Sequence, residues 1–214
     1  MEHFLWQAFV TLLVVIDPFA VLPLFLVLTR KDTIEVKQKI ALKSCTIAML
    51  ILLTFAIGGD YLLDALSISE PAFRITGGFL LLLTAIDMVV AKSHSGFHST
   101  TEEEKEASRR DDITVFPLAI PMIAGPGALT SIVVLMRQAD NMPNGLYMSI
   151  GIVSMMVGVV LITYLCMISG DRLMKILGVT GTNVLTRVFG IILAALAIQS
   201  IINGVVLIVK GMMA

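Results

Sequence analysis

The sequence predicts an all-α membrane protein: six transmembrane helices, arranged as two inverted three-helix repeats, with broken helices in spans one and four. Three observations predict it. The chain is 57% hydrophobic and 14% charged, with a mean hydropathy of +0.94, whereas soluble domains run at about 45–50% apolar and about 25% charged. Apolar runs of about twenty residues, the length a bilayer requires, recur six times, at 4–28, 41–63, 72–91, 115–136, 146–169 and 187–209. Two of these runs, the first and the fourth, carry proline or glycine where a continuous helix tolerates neither.

The whole chain, 1–214, reads as one transmembrane domain: repeat one over 4–91, a cytoplasmic linker over 92–114, and repeat two over 115–209. The net charge of −1 leaves no basic footprint for nucleic acid. Cys45 and Cys166 fall inside spans, form no CxxC, and read as small apolar fillers. The N-terminus lacks a basic leader and reads as a span rather than a cleavable signal peptide. Twelve of the fifteen Lys and Arg lie in or beside the loops after spans one, three and five; the other side holds Arg74, Arg137 and Lys210. The positive-inside rule then places both termini outside the cytoplasm.

Span one holds Asp17-Pro18-Phe19-Ala20 near its middle and Pro23 further on. An ionisable residue at that depth costs about 2.5–3.5 kcal/mol on insertion scales. Two compatible readings offset the cost: Asp17 caps a second half-helix that Pro18 begins, or Asp17 serves as a ligand or proton site. Span two closes on Gly58-Gly59-Asp60, and Arg74 stands one turn into span three, ahead of Gly77-Gly78. Asp87 lies late in that span, where it reads as interfacial, with a place facing a cavity as the alternative. In the linker, His94 and His98 stand four apart with Gly96 between them and no third ligand nearby, so a metal site is not the reading. Span four contains Pro117, Pro121 and Gly125-Pro126-Gly127-Ala128, which breaks a helix at membrane depth. Backbone groups freed there survive only against protein or a water-filled cavity. Span five ends in Gly170-Asp171. Span six begins at Arg187 and carries Gln199 and Asn203 on one face, as an interhelical hydrogen bond or as a cavity lining.

The halves match in order. Asp17-Pro18-Phe19-Ala20 aligns with Gly125-Pro126-Gly127-Ala128 at an offset of 108, Gly59-Asp60 with Gly170-Asp171, and Arg74-x-x-Gly77 with Arg187-x-x-Gly190. Three spans per half is an odd number, so like-folded halves cross the membrane in opposite senses. Inverted repeats, each with a broken helix, are the sequence signature of a transporter with a midplane site. Paired Ser/His, HExxH or paired-Asp arrangements are missing from the spans, so an intramembrane enzyme is not expected.

The Asp17-Pro18…Pro23 stretch, Pro117-Leu-Ala-Ile-Pro-x-x-Ala-Gly-Pro-Gly127 and Arg187-x-x-Gly190 resemble the MarC family of bacterial inner-membrane proteins, over nearly the whole chain. The resemblance implies six spans in the inner membrane and transport, in the export direction, of small neutral amino acids such as alanine, glycine or serine. It implies no cofactor, with proton coupling as one option. Export of another small solute, an ion or a drug is the alternative. The partners expected are a small-molecule substrate and the lipid bilayer, with a homo-oligomer left open. A zwitterion then needs two receptors. The Gly127 and Ala128 amides, at a half-helix N-terminus, suit a carboxylate, and Asp17 suits an ammonium. Phe19, Thr130 and Asn203 would limit side-chain size. Asp60 with Arg74, and Asp171 with Arg187, are expected either to pair across each half as anchors or to have their arginines snorkel to headgroups.

Overall fold

The structure is a computed structural model that describes residues 2–90 and 113–213. Among these there are seven helices and no strand. The linker expected at 92–114, with His94 and His98, lies almost wholly outside the described residues.

In the first span, α1 (Glu2–Ile16) ends where the Asp17 N–H closes on the Leu13 carbonyl at 3.0 Å. Asp17 then adopts φ 42°, the left-handed region that Asp and Asn visit more readily than other side chains. Helix α2 (Pro18–Leu28) starts at once, because Pro18 brings the helical φ and lacks only an N–H that has no intrahelical partner at that position. Helix α3 (Ile34–Ala65), capped by Thr33, and α4 (Glu70–Val90) form the next two spans.

Residues Thr114–Ile123 make an irregular, wide-coiled segment. Phe116 and Ile120 are extended, at φ/ψ of −128°/126° and −129°/129°, and each precedes a proline whose ring excludes the helical region for its neighbour. Helix α5 (Pro126–Asp140) follows at a bend of 53°. Helix α6 (Gly145–Ile168) is continuous, and α7 (Gly170–Met213) is interrupted at Gly178, whose φ of 64° and ψ of 176° suit glycine alone. Helical structure thus begins well before Arg187, earlier than the apolar run of span six. Among the described residues, five spans are long and apolar enough to cross a bilayer, and the bent pair 114–123 plus 126–140 makes up to six.

Packing is dominated by α4 against α7. Glycines set this approach: a methyl group built on Gly78 would meet the Ala197 carbonyl at 2.8 Å, and one on Gly204 the Pro71 carbonyl at 3.0 Å. Helix α3 packs on segment 114–123 and on α5, while α6 packs on α1 and α2; α4 also meets α5, and α7 meets α2. The main core gathers Leu12, Phe25, Leu52, Ile123, Ile132 and Met156, and a second cluster joins Val14, Leu81 and Leu193. Large apolar side chains such as Ile57, Leu161, Ile191 and Val205 face outward, the arrangement a lipid solvent favours.

Candidate solute cleft

The bend in the fourth span leaves backbone donors unused. Gly125 precedes α5 without a side-chain cap, and Pro126 has no N–H. Neither Gly127 nor Ala128 has an acceptor for its amide among the described residues, as expected for the first turn of a helix. Gly125 is required by close approach, since a Cβ there would fall on the Pro121 carbonyl oxygen. Gly127 is buried, with room for a Cβ only at 3.0 Å from Leu81 Cδ2 and 3.3 Å from Val15 Cγ1.

From Gly127, helical periodicity carries Thr130, Ser131, Val134 and Gln138 along one face of α5. That face borders a partly open cleft of about 70 Å³ between α1, α4, α5 and α7. Gln7 and Thr11 line it from α1, Arg74 and Leu81 from α4, and Gln199, Ser200 and Asn203 from α7. Gln7, Arg74, Gln138 and Asn203 bring the polar part of the lining from four different helices to one cleft. Thr130 Oγ1 donates to the Pro126 carbonyl at 2.8 Å, and Ser200 Oγ donates to the Arg74 carbonyl at 3.2 Å. The Ser131 hydroxyl is buried without a partner among the described residues. Gln199 Nε2 donates to Asn203 Oδ1 at 2.9 Å, so the two amides bond each other along α7 and line the cleft together; the bond does not cross between helices.

The expected site residues therefore divide. Thr130, Gln199, Asn203 and also Arg74 line the cleft. Gly125, Pro126, Gly127 and Ala128 are not part of the lining; Gly127 stands one turn before Thr130 and packs near Leu81, which does line the cleft. Asp17, Pro18, Phe19 and Ala20 are not part of the lining. Asp17 sits six residues beyond Thr11, about 9 Å deeper by helical rise, and is 3% exposed. One carboxylate oxygen accepts from the Ala20 N–H at 3.3 Å, the Thr186 side chain and the Phe19 amide also bear on the carboxylate, and Oδ2 makes no hydrogen bond within 3.5 Å among the described residues. Phe19 meets Phe189 edge to face, ring centres 5.8 Å apart. The local capping reading of Asp17 is thus realised, and the ammonium receptor expected of it is not brought to the cleft.

The expected ion pairs are corrected. Asp60 pairs with Arg137 at 3.5 Å, not with Arg74; Asp64 and Glu70 join Arg137 at 3.6 and 3.7 Å. Arg74 Nη2 bonds Glu70 Oε1 at 2.6 Å. The cause is geometric: Glu70 stands one turn before Arg74 on the same helix, and the last turn of α5 brings Arg137 over the α3–α4 hairpin. On the other side Asp171 pairs with Lys37 at 3.6 Å, and Arg187 has no acidic partner among the described residues.

Gln7, Thr11, Ser131, Gln138 and Ser200 were not singled out from the sequence. A signal existed, since Gln7 and Thr11 interrupt an apolar run at a spacing of four, as Gln199 and Asn203 do.

Comparison with known proteins places the chain among relatives. The model of the MarC family, described as integral membrane proteins, matches residues 2–209. A UPF0056 membrane protein of Methanocaldococcus jannaschii is 35% identical over 92% of this chain and 94% of its own length. One from Aquifex aeolicus is 35% identical over 92% and 90%, and one from Buchnera aphidicola of Acyrthosiphon pisum 31% over 96% and 93%. No solved structure matches.

Proposed function

We propose that this chain, which belongs to the MarC family of integral membrane proteins, is a secondary transporter that moves small neutral amino acids of the alanine, glycine and serine class outward across the inner membrane. The observation that carries this reading is the polar cleft inside an apolar shell, ending one turn above the unused amides of the α5 N-terminus. Its lining, small hydroxyls and amides around a single guanidinium, suits a small zwitterion better than a large apolar drug. The lining offers neutral donors and acceptors and one cation, a set suited to binding and release of a small polar solute.

Alternating access by two inverted halves is supported by how the elements pack. Exchange the halves, and the contact of α3 with 114–123 becomes that of α6 with α1; α3 with α5 becomes α6 with α2; α4 with α5 becomes α7 with α2. The glycines obey the same exchange: Gly59 seats against Val133 of α5, and Gly170 against Leu22 and Leu26 of α2. With the basic loops in the cytoplasm, this reading has the cleft serve the periplasmic side. Rocking of one half against the other would then expose the same face of α5 to the cytoplasm.

The test is uptake into proteoliposomes with a panel of labelled amino acids under an imposed pH gradient. Alanine, glycine and serine are expected to move, and leucine and phenylalanine to be excluded. Movement of bulky residues at equal rate, or of none of the panel, overturns the reading.

A further inference from the structure

We propose that Arg74 is the carboxylate receptor of the cleft, and thereby the residue that makes it select acids over amines and amides. This rests on the transporter reading above. Arg74 is the one charged side chain among the residues lining the cleft; the others are neutral amides, hydroxyls and aliphatics. Asp17, the carboxylate that sequence reasoning offered to an ammonium, is outside the lining, so the cleft presents a cation and no anion.

The guanidinium is held for this task. Its side chain is 12% exposed, and Glu70 grips one terminal nitrogen at 2.6 Å while Nε–H has no acceptor among the described residues. Glu70 is itself shared with Arg137 at 3.7 Å, so it does not depend on Arg74 alone. The backbone at residue 74 is fixed from the far side by the Ser200 hydroxyl at 3.2 Å, and Gly204 lets α7 approach to within 3.4 Å of Arg74 Cβ, measured from a methyl group built on the glycine. A guanidinium with donors to spare matches a carboxylate in charge and in planar geometry. The ammonium of a zwitterion is left to neutral oxygens, those of Thr130, Ser131 and Asn203.

The experiment measures binding of alanine and of alaninamide to detergent-purified protein, with thermal stability recorded for each variant. Alaninamide keeps the ammonium and the side chain and lacks the carboxylate. The wild type is expected to prefer alanine strongly. Arg74→Gln is expected to reduce that preference about tenfold to a hundredfold, the range for losing a hydrogen bond to a charged group, and Arg74→Lys to retain part of it. A purely structural role would weaken both ligands together and leave their ratio unchanged. Equal binding of alanine and alaninamide by the wild type overturns the proposal even where Arg74→Gln does not fold. An unchanged ratio in a folded Arg74→Gln also overturns it and leaves the transporter reading standing. Failure of the wild type to bind any amino acid removes that reading itself.

Discussion

The two interrupted stretches, at Asp17 and at Gly125-Pro126, occupy matching places in the chain and solve the same backbone problem differently. At Asp17 a side chain fills the gap: its carboxylate takes the Ala20 amide, and α1 and α2 continue as one span. At Gly125 no side chain caps the next helix, the axis bends by 53°, and the first amides of α5 stay unused. Sealed by its own residue, the first break lies in packed core. The second lies under a cleft. What separates a structural break from a binding one is therefore not the proline but whether the neighbouring side chain consumes the freed backbone groups.

The largest expected effect tests the unsealed break. Gly127→Val places branched carbon against Leu81 and Val15, where even one methyl group finds neighbours at 3.0 and 3.3 Å. Overpacking of this kind costs about 1–3 kcal/mol, so the protein is expected to fold with a lowered melting temperature and to lose amino-acid binding altogether. Full-strength binding by Gly127→Val would place the solute elsewhere.

The sealed break is expected to respond in stability first. Asp17→Leu removes the cap and forces a γ-branched side chain into φ 42°. Together these are expected to cost about 2–4 kcal/mol. Asp17→Asn keeps both an acceptor and tolerance of that φ, and Asp17→Gly keeps the φ, so each is expected to lose less than about 1 kcal/mol. Thermal unfolding in detergent reads the series. If Asn, Gly and Leu destabilise equally, capping is not what Asp17 does.

Smallest is the charge cluster at the mouth. A double-mutant cycle of Asp60→Asn with Arg137→Gln is expected to show coupling of about 0.5–1 kcal/mol, because both side chains remain partly exposed, and a cycle of Asp60 with Arg74 to show almost none. The reverse pattern would restore the pairing expected from sequence.

Legibility followed the physics of each feature. Spans were readable because a bilayer imposes a length on apolar runs, and the interruptions because proline acts on its own neighbours. Gln199 and Asn203 were readable because both lie on one helix face. The Arg137–Asp60 pair was not, since it joins α5 to α3 through a helix crossing that no local spacing encodes. Asp17 was readable only in part: a buried carboxylate in a span reads as a cap or as a site, and the cap depends on the backbone angle at that residue, which no spacing gives. Gln7 and Thr11 were hidden by their setting, two polar residues in a run whose hydropathy is otherwise high.

The central claim is that the face of α5 above its uncapped N-terminus holds the solute. The most direct measurement uses Ser131→Cys in a protein with Cys45 and Cys166 replaced by alanine, reconstituted and treated with a small thiol reagent from the side of the chain termini. The account predicts that Cys at 131 reacts, and that alanine slows the reaction severalfold at concentrations that saturate transport while leucine does not. Labelling that proceeds at the same rate with and without alanine, in protein that transports alanine, would contradict it.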